Sequence, residues 1–384
     1  MHVLLIPKWY PGRNDPQLGD FIRKQALATS AFVRMSVLHV EALSDGSATD
    51  DHIHDADGAW ELAVRYRAST SPLRPWRKCV NLVRYWRAVR HGARRVERDR
   101  GRVDLVHAYI LVRPALFAWR YARRKGVPYI ISEQSSEYLD GTYAGKGALF
   151  AALNKYLIRH AAGITAVSTW LGDELVRLGL CTQYTVVPNV VPGLERTLPP
   201  AGVPGSFLVV ADLVDKTKNV SGVLRALAVA RADSDRPHLT IIGDGPDRRM
   251  LEALVVQLGL GSCVTFLGRV PNAVVLDHMA RTFAVIVNSN VETFSVVTGE
   301  ALAMGRPVIA TRCGGPQAFI TPDNGVLIEP RDDQALAAAM LTITIQASAY
   351  SPSTIRGTVS DRFSPTAVGR AFHTVYEQAL AHGR

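Results

Sequence analysis

The stretch Glu292-Thr-Phe-Ser-Val-Val-Thr-Gly-Glu300-Ala-Leu-Ala303 decides the fold of this chain. An apolar run that predicts a strand precedes it at Phe283–Val287, and a second such run follows at Pro307–Ala310. Strand, loop, helix and strand in this order predict a parallel sheet with the loop at the carboxyl ends of its strands, where open α/β folds bind ligands. The free N–H groups of the loop and the positive end of the helix favour a phosphate there.

The chain has 384 residues, which predicts two domains because single hydrophobic cores stop growing at about 250–300 residues. A hydrophobic content of 47% and a charged content of 20% are typical of a globular protein. The first residues contain too short an apolar run for a signal peptide, and no run approaches the roughly 18 residues that span a bilayer. The four cysteines lie far apart, as in a reducing compartment. We therefore expect a cytoplasmic protein.

The net charge of +10 is concentrated in one region, residues 60–130, where Lys and Arg greatly outnumber Asp and Glu. Within that region apolar residues recur every three or four positions and predict an amphipathic helix over 73–98. One interpretation is a helix with its apolar side on the sheet and its basic side in water. The other is that the basic segment 73–102 contacts anionic lipid headgroups or a phosphorylated acceptor. No nucleic-acid-binding motif accompanies the charge.

Strand and helix patterns alternate along the whole chain. Strands are predicted at Val3–Ile6, Met35–Val40, Asp104–Ala108, Tyr129–Ser132, Ile164–Val167, Phe207–Ala211, Leu239–Ile242, Val264–Leu267, Val285–Val287, Val308–Ala310 and Val326–Ile328. Such alternation indicates parallel sheets with helices on both faces. The Pro- and Gly-rich stretch 190–205 is the best linker, so we predict an α/β protein with two Rossmann-like, doubly wound domains, 1–190 and 191–364.

The Glu292–Glu300 stretch resembles the Glu-x7-Glu motif of retaining glycosyltransferases with the two-domain GT-B fold, the glycosyltransferase family 4-like enzymes called "glycosyl transferases group 1". The resemblance covers most of the chain and is strongest over 207–330. It implies that the two domains face each other across a cleft and that a carboxyl-terminal helix, 365–384, crosses back onto the first domain. It also implies a hexosyltransferase that uses a nucleotide diphosphate sugar.

The resemblance implies roles for the motif itself. Glu300 would bind the ribose hydroxyls, and Glu292 would contact the donor sugar and stabilise positive character at its anomeric carbon. The backbone amides of Phe294, Ser295 and Val296 would hold the phosphates. Without the motif, Glu300 would be interpreted as a residue that favours the helix dipole and Glu292 as a solvated loop carboxylate.

Other segments of the second domain also resemble the family. Lys218 matches a lysine that grips the donor diphosphate, but Asp212 stands where an arginine is usual, so Lys216 could supply the second charge. Gly243 belongs to the family's Gly-x-Gly-Pro turn. The segment that contains Arg269 and Val270 resembles the one whose backbone lies along the nucleobase.

In the first domain, the loop with Gly19 and Asp20 resembles the family's glycine loop and would approach the donor phosphates or the acceptor. Gln134 stands where relatives often carry histidine, and a glutamine cannot act as a titrating base. A retaining mechanism of this kind needs no enzymic base, because the departing phosphate oxygen can take the acceptor proton.

Signals for a metal are weak. His52, His54, Asp55 and Asp57 lie in a polar connection, residues 44–58, which we interpret as a solvated loop without a convincingly spaced further ligand. We expect neither a metal nor a cofactor. No phosphate-binding P-loop and no Gly-x-Ser-x-Gly elbow are present in the sequence.

The resemblance implies that a sugar passes from a UDP-linked donor, favoured over a GDP-linked one, to a hydroxyl of a glycan or lipid-linked acceptor. The basic segment adds the hypothesis that this happens at the inner face of the cell membrane. Two alternatives stay open at this point. A non-catalytic nucleotide-sugar-binding protein would explain Asp212 and Gln134, and a nucleotide-sugar epimerase would use the same fold.

Overall fold

The computed structural model describes residues 1–44, 49–56, 58–232 and 237–382. The chain divides into two compact units. The first unit contains Met1–Val190 together with Pro365–Arg384, and the second contains Val191–Ser364.

The first unit is built on a sheet whose described strands follow the order β3-β4-β2-β1-β5-β6-β7-β8. The strands are β1 (His2–Pro7), β2 (Arg34–Leu43), β3 (Asp50–Ala56), β4 (Ala59–Arg67), β5 (Leu105–Tyr109), β6 (Tyr129–Glu133), β7 (Gly163–Ala166) and β8 (Thr185–Val186). Neighbouring strands pair in parallel except β3, which pairs antiparallel with β4 through Asp50↔Arg65 and His52↔Ala63.

The helices of this unit are α1 (Asp20–Ser30), α2 (Arg74–Arg100), α3 (Arg113–Lys125), α4 (Ala148–Arg159), α5 (Thr169–Arg177) and, near the end of the chain, α13 (Pro365–His382). One core cluster joins α1 and α13 to Met35 and Val37 of β2. Successive side chains of a strand point to opposite faces, so Leu38 lies on the other face. There a Cβ on Gly92 of α2 would stand 2.3 Å from Leu38 Cδ1. Helices therefore cover both faces of the sheet.

In the second unit the described strands form a parallel sheet in the order β11-β10-β9-β12-β13-β14. They are β9 (Ser206–Val210), β10 (His238–Ile242), β11 (Val264–Gly268), β12 (Ala284–Val287), β13 (Val308–Thr311) and β14 (Gly325–Ile328). The helices are α6 (Asp215–Lys218), α7 (Val220–Ala232), α8 (Arg248–Gln257), α9 (Asn272–Arg281), α10 (Val296–Ala303), α11 (Asp333–Ile345) and α12 (Pro352–Phe363). Residues of α7, α8 and α11 share one apolar core with the sheet.

Two sequence-based expectations about the first unit are wrong. Residues 44–58 are not simply a polar loop, because Asp50–Ala56 forms the edge strand of a hairpin with β4, and β4 itself was also missed. The pattern of an exposed edge strand is too polar to be recognised by its hydrophobicity. The helix over 73–98 exists, but its apolar side contacts the sheet only in its second half. Leu73 and Trp76 are 67% and 62% exposed.

No helix in the described parts of the chain is long and apolar enough to cross a membrane.

Candidate functional site

The second unit has a topological switch point between β9 and β12. From β9 the chain proceeds outward through β10 to β11, and from β12 it proceeds the other way through β13 to β14. The loops that follow the two central strands therefore diverge and leave a crevice at the carboxyl edge, which is where open α/β sheets bind ligands. Lys218 is the last residue of the short helix α6, which follows β9, and Glu292 lies in the loop after β12.

Lys218 and Glu292 form an ion pair at this switch point. The Lys218 ammonium donates to Glu292 Oε1 at 2.5 Å, and the hydroxyl of Ser289 donates to the same oxygen at 2.7 Å. Burial alone would lower the pKa of Lys218, but the carboxylates of Glu292 and Asp212 raise it above its ordinary value. The lysine is thus charged, and the carboxylate is held in one orientation. Within the described residues, Glu292 Oε2 accepts no hydrogen bond.

The amino end of α10 presents backbone donors beside this pair. Ser295 precedes the helix in the left-handed conformation, with φ 71°, and makes no side-chain cap. Within the described residues, no acceptor faces the N–H groups of Phe294, Ser295 and Val296. A Cβ at Gly315 would stand 2.4 Å from the carbonyl carbon of Phe294, so only glycine permits the turn after β13 to support this loop. The loop therefore presents backbone donors of the kind that bind anions at helix amino ends.

Glu300 lies one helical turn further into α10 and is 3% exposed. Its Oε1 accepts a hydrogen bond of 2.7 Å from the side-chain amide of Asn272, at the start of α9. Sequence reasoning missed Asn272 because the contact joins positions far apart in the chain. An exposed glutamate would serve the helix dipole equally well, so the dipole does not explain the burial of Glu300.

Asp212 accepts a hydrogen bond of 3.2 Å from Arg269. The loop after β11 thus brings a guanidinium beside the loop after β9. Val270 follows in the same loop. No carboxylate of the described chain pairs with the Lys216 ammonium, while its carbonyl accepts from the Asn290 amide at 2.8 Å.

Gly243 directly follows β10 with φ 134°, and a Cβ there would stand 1.8 Å from the carbonyl oxygen of Ala211. The contact leaves no room for any side chain. Gly243 therefore sets the close approach of the loops that follow β9 and β10.

The first unit has a corresponding switch point between β1 and β5, from which the chain proceeds in opposite directions along the sheet. Gly19 lies in the loop after β1 with φ 68°, and a Cβ there would stand 2.5 Å from the Trp9 carbonyl carbon. Asp20 begins α1 and pairs with Lys24 at 2.5 Å. The Gln134 amide is buried and donates to Gln25 Oε1 at 3.0 Å.

The loop after β5 carries two β-branched residues in the left-handed region, Ile110 with φ 69° and Val112 with φ 86°. Such residues adopt this conformation only when their surroundings impose it. The carboxylate of Glu133 accepts from the N–H of Leu111, between them, at 3.1 Å. No pattern among the residues of this segment predicts the strain.

The carboxylate of Glu133 is fully occupied by the protein. It also accepts from the N–H groups of Gln134 and Ser135 at 3.0 Å and from the Tyr138 hydroxyl at 3.1 Å. Burial raises the pKa of Glu133, although these hydrogen bonds favour the charged form. Glu133 is thus a positioning residue for the loop after β5.

No group of three or more His, Cys, Asp or Glu side chains able to hold a metal occurs among the described residues. His52, His54 and Asp55 lie on the edge strand β3. Asp57 falls outside the described residues.

Two family models match the chain. The model "Glycosyl transferase 4-like domain" matches residues 26–190, and the model "Glycosyl transferases group 1" matches residues 204–345. The two matches together cover most of the chain and fall on the first and the second unit respectively.

Among curated proteins, the chain is similar to the lipopolysaccharide core biosynthesis glycosyltransferase LpsD of Rhizobium meliloti (strain 1021), at 26% identity over 90% of this chain and 99% of that protein. LpsE of the same organism is 23% identical over the same shares. The glycogen synthase of Mycobacterium tuberculosis (strain H37Rv) is 28% identical over 63% of this chain and 60% of its own length.

Among solved structures, sucrose-phosphate synthase of Thermosynechococcus elongatus matches all of this chain and all of its own, with a TM-score of 0.78 at 18% identity. Anabaena HepE in complex with UDP matches 98% of this chain and 100% of its own, with a TM-score of 0.72 at 18% identity. These likenesses confirm the predicted fold class, α/β with two Rossmann-like domains of the GT-B type.

Proposed function

Because the chain belongs to the glycosyl transferases of group 1, we propose that it transfers a hexose, with retention of anomeric configuration, from a UDP-linked donor to a hydroxyl of a glycan or lipid-linked acceptor. The observation that carries this proposal is the Lys218–Glu292 ion pair at the switch point, beside the unoccupied backbone donors of the α10 turn. The UDP complex of HepE supports UDP as the nucleotide, and the names of LpsD and LpsE support a lipid-linked glycan as the acceptor.

The donor diphosphate binds between the α10 turn and the loop region after β9. The N–H groups of Phe294, Ser295 and Val296 donate to its oxygens, and Lys218 neutralises the charge that develops on the leaving oxygen. Lys216 and Arg269 add positive charge from neighbouring loops, and Gly243 keeps those loops close together. With this charge supplied by side chains, the transfer needs no metal or other cofactor.

The two glutamates of the motif have separate tasks. Glu300 accepts hydrogen bonds from the ribose hydroxyls, while Asn272 keeps its carboxylate oriented. The backbone around Val270 contacts the nucleobase. Glu292 directs its free oxygen, Oε2, toward the sugar and stabilises positive character at the anomeric carbon.

The leaving phosphate oxygen takes the proton of the acceptor hydroxyl as the glycosidic bond forms on the face that the phosphate leaves. No titrating side chain is required, so a glutamine at position 134 is compatible with transfer. Gln134 and the loop of Gly19 and Asp20, in the first unit, contact the acceptor.

The basic segment 73–102 contacts an anionic membrane through the first turns of α2. Leu73 and Trp76 are exposed there, beside the cations Arg74, Arg77 and Lys78. An aromatic and an aliphatic side chain flanked by cations suit the boundary between headgroups and acyl chains. This arrangement supports a location at the inner face of the cell membrane, where a lipid-linked acceptor would be found.

Donor turnover tests the reaction. The protein is incubated with UDP-linked and GDP-linked hexoses, with and without glycan acceptors, and the products are separated by chromatography. A glycoside formed only in the presence of acceptor supports the proposal. A new nucleotide sugar would identify an epimerase, and tight nucleotide-sugar binding without any product would identify a binding protein.

Sedimentation with liposomes tests the membrane contact. We expect binding to phosphatidylglycerol vesicles at low salt, which weakens as the screening length falls from about 10 Å at 0.1 M salt to about 3 Å at 1 M. Trp76→Ser should reduce binding, whereas the matched control Trp170→Ser, on α5, should not. If the unmodified protein ignores acidic vesicles at low salt, the membrane contact is refuted.

A further inference from the structure

A groove in the first unit lies outside the site described above. It runs between the second half of α2 and the second half of α3 and encloses about 570 Å³. After α2 the chain enters the amino end of β5 at Leu105, and after α3 it enters the amino end of β6 at Tyr129. The groove therefore lies toward the opposite edge of the sheet from the switch point.

The walls of the groove are strongly basic. One carboxylate, Glu97, faces six cations: Arg90, Arg94, Arg120, Arg123, Arg124 and Lys125. Glu97 is already used, because it accepts from the Tyr121 hydroxyl at 2.5 Å and from Lys125 at 2.9 Å. Among the described residues, the other five cations of the groove pair with no carboxylate.

Arginines on the neighbouring face of α2, in contrast, pair with carboxylates. Arg95 pairs with Asp51 at 2.6 Å, and Arg98 pairs with Asp99 at 2.7 Å. In the described part of the chain, Arg94, Arg120 and Arg124 have no such carboxylate. Like charges gathered without counter-charge repel each other, so an anion that entered the groove would be attracted by all of them.

Aromatic rings hold the cations at the sides of the groove. Arg123 lies 5.3 Å from the ring centre of Trp119, and Arg90 lies 5.7 Å from that of Trp86. Stacking on a ring orders a guanidinium without using its hydrogen-bond donors for another residue. The donors are therefore available to an anion.

We propose that this groove binds a small soluble ligand that carries two or more phosphate groups. Guanidinium groups bind phosphate oxygens through paired hydrogen bonds. The enclosed volume falls within the roughly 300–1,000 Å³ of small-molecule sites, and a concave site of this size suits a discrete molecule better than a flat layer of lipid headgroups. The site does not depend on the proposed transfer reaction.

The test is calorimetric titration of the full chain with inorganic tripolyphosphate in 0.1 M salt. The variant Lys218→Met is titrated in parallel, because the donor site could also attract the probe. We expect wild type and Lys218→Met to bind equally well in the groove. The double variant Arg94→Gln/Arg124→Gln should bind at least tenfold more weakly, and the exposed control pair Arg249→Gln/Arg370→Gln should bind like wild type.

Several results would overturn the proposal. They are absence of binding, equal weakening by both arginine pairs, or loss of the binding in Lys218→Met. Phosphatidylglycerol vesicles provide a further arm: binding to them that needs Arg94 and Arg124, without any binding of tripolyphosphate, would assign the groove to membrane lipid instead. Thermal unfolding of each variant identifies any that fails to fold, and in that case Arg120→Gln is used in its place.

Discussion

The switch points of the two units differ in what their carboxylates do. In the first unit, Glu133 is buried and accepts four hydrogen bonds from the protein, three of them from backbone N–H groups. In the second unit, Glu292 accepts hydrogen bonds from Lys218 and Ser289 on one oxygen. Its other oxygen has no donor among the described residues.

This contrast separates a structural carboxylate from one that is able to bind a ligand. A buried carboxylate with every position filled holds a loop, here the strained segment of Ile110 and Val112. A carboxylate that is oriented on one side and free on the other retains its capacity for a substrate. Burial alone does not separate the two, since Glu300 is also buried.

The largest expected effect concerns Glu133 and the stability of the fold. Glu133→Ala leaves four donors without an acceptor, each costing about 1–3 kcal/mol, so the free energy of unfolding should fall by roughly 4 kcal/mol or more. Denaturant unfolding measures this change. Glu133→Gln, which keeps one acceptor oxygen, should lose less. A stable but inactive Glu133→Ala protein would identify Glu133 as a substrate-binding group and would remove the difference between Glu133 and Glu292.

Lys218 should produce the next largest effect, on catalysis. Removing a charged donor that acts on the developing charge of the leaving group lowers turnover by about 10²–10³-fold. Lys218→Met should therefore reduce kcat much more than donor affinity, with Lys216→Met as the milder control. EDTA should leave the wild-type rate unchanged. Inactivation by EDTA that magnesium or manganese reverses would show that a metal carries this charge.

Glu292 should affect turnover while leaving nucleotide binding intact. Loss of a hydrogen bond to a charged group costs about 1.5–3 kcal/mol, which corresponds to roughly 10- to 150-fold in rate. Steady-state kinetics and UDP titration of Glu292→Ala measure the two quantities. Substantially weaker UDP binding by this variant would contradict the assignment of Glu292 to the sugar.

Glu300 should affect nucleotide binding more than turnover, and its effect should be the smallest of the four. Glu300→Ala removes the ribose contact and should weaken UDP binding about tenfold, for a loss near 1.5 kcal/mol. Calorimetric titration with UDP gives the affinity. Asn272→Ala should have a weaker effect in the same direction, because it removes one group that orients the carboxylate and leaves the carboxylate itself. Unchanged UDP affinity in Glu300→Ala would remove Glu300 from the nucleotide site.

Much of the fold and the enzyme class could be predicted from sequence. The alternating pattern gave the sheets, and the family, the fold class and the assignment to the glycosyltransferases are confirmed. The motif is informative because strand, loop and helix are contiguous, so spacing alone brings Glu292 and Glu300 to one edge of the sheet. The roles of the individual site residues stay predictions.

What escaped the sequence depends on contacts between distant positions. Asn272 reaches Glu300, and Arg269 reaches Asp212, from loops that only the folded sheet brings near. Periodicity likewise identified the apolar side of α2. It did not show which part of that side packs against the sheet, and Trp76 is exposed. A sequence pattern predicts which face of a helix is apolar, whereas the burial of that face depends on how far the helix extends beyond the sheet.

The most direct test of the central claim is the anomeric configuration of the product made from a UDP-linked α-hexose, read from the anomeric proton by nuclear magnetic resonance. We expect an α-linked product with wild type, formed at a rate that falls roughly 10- to 150-fold in Glu292→Ala while UDP binding persists. A β-linked product would contradict retention, and an unchanged rate in Glu292→Ala would contradict the role of Glu292.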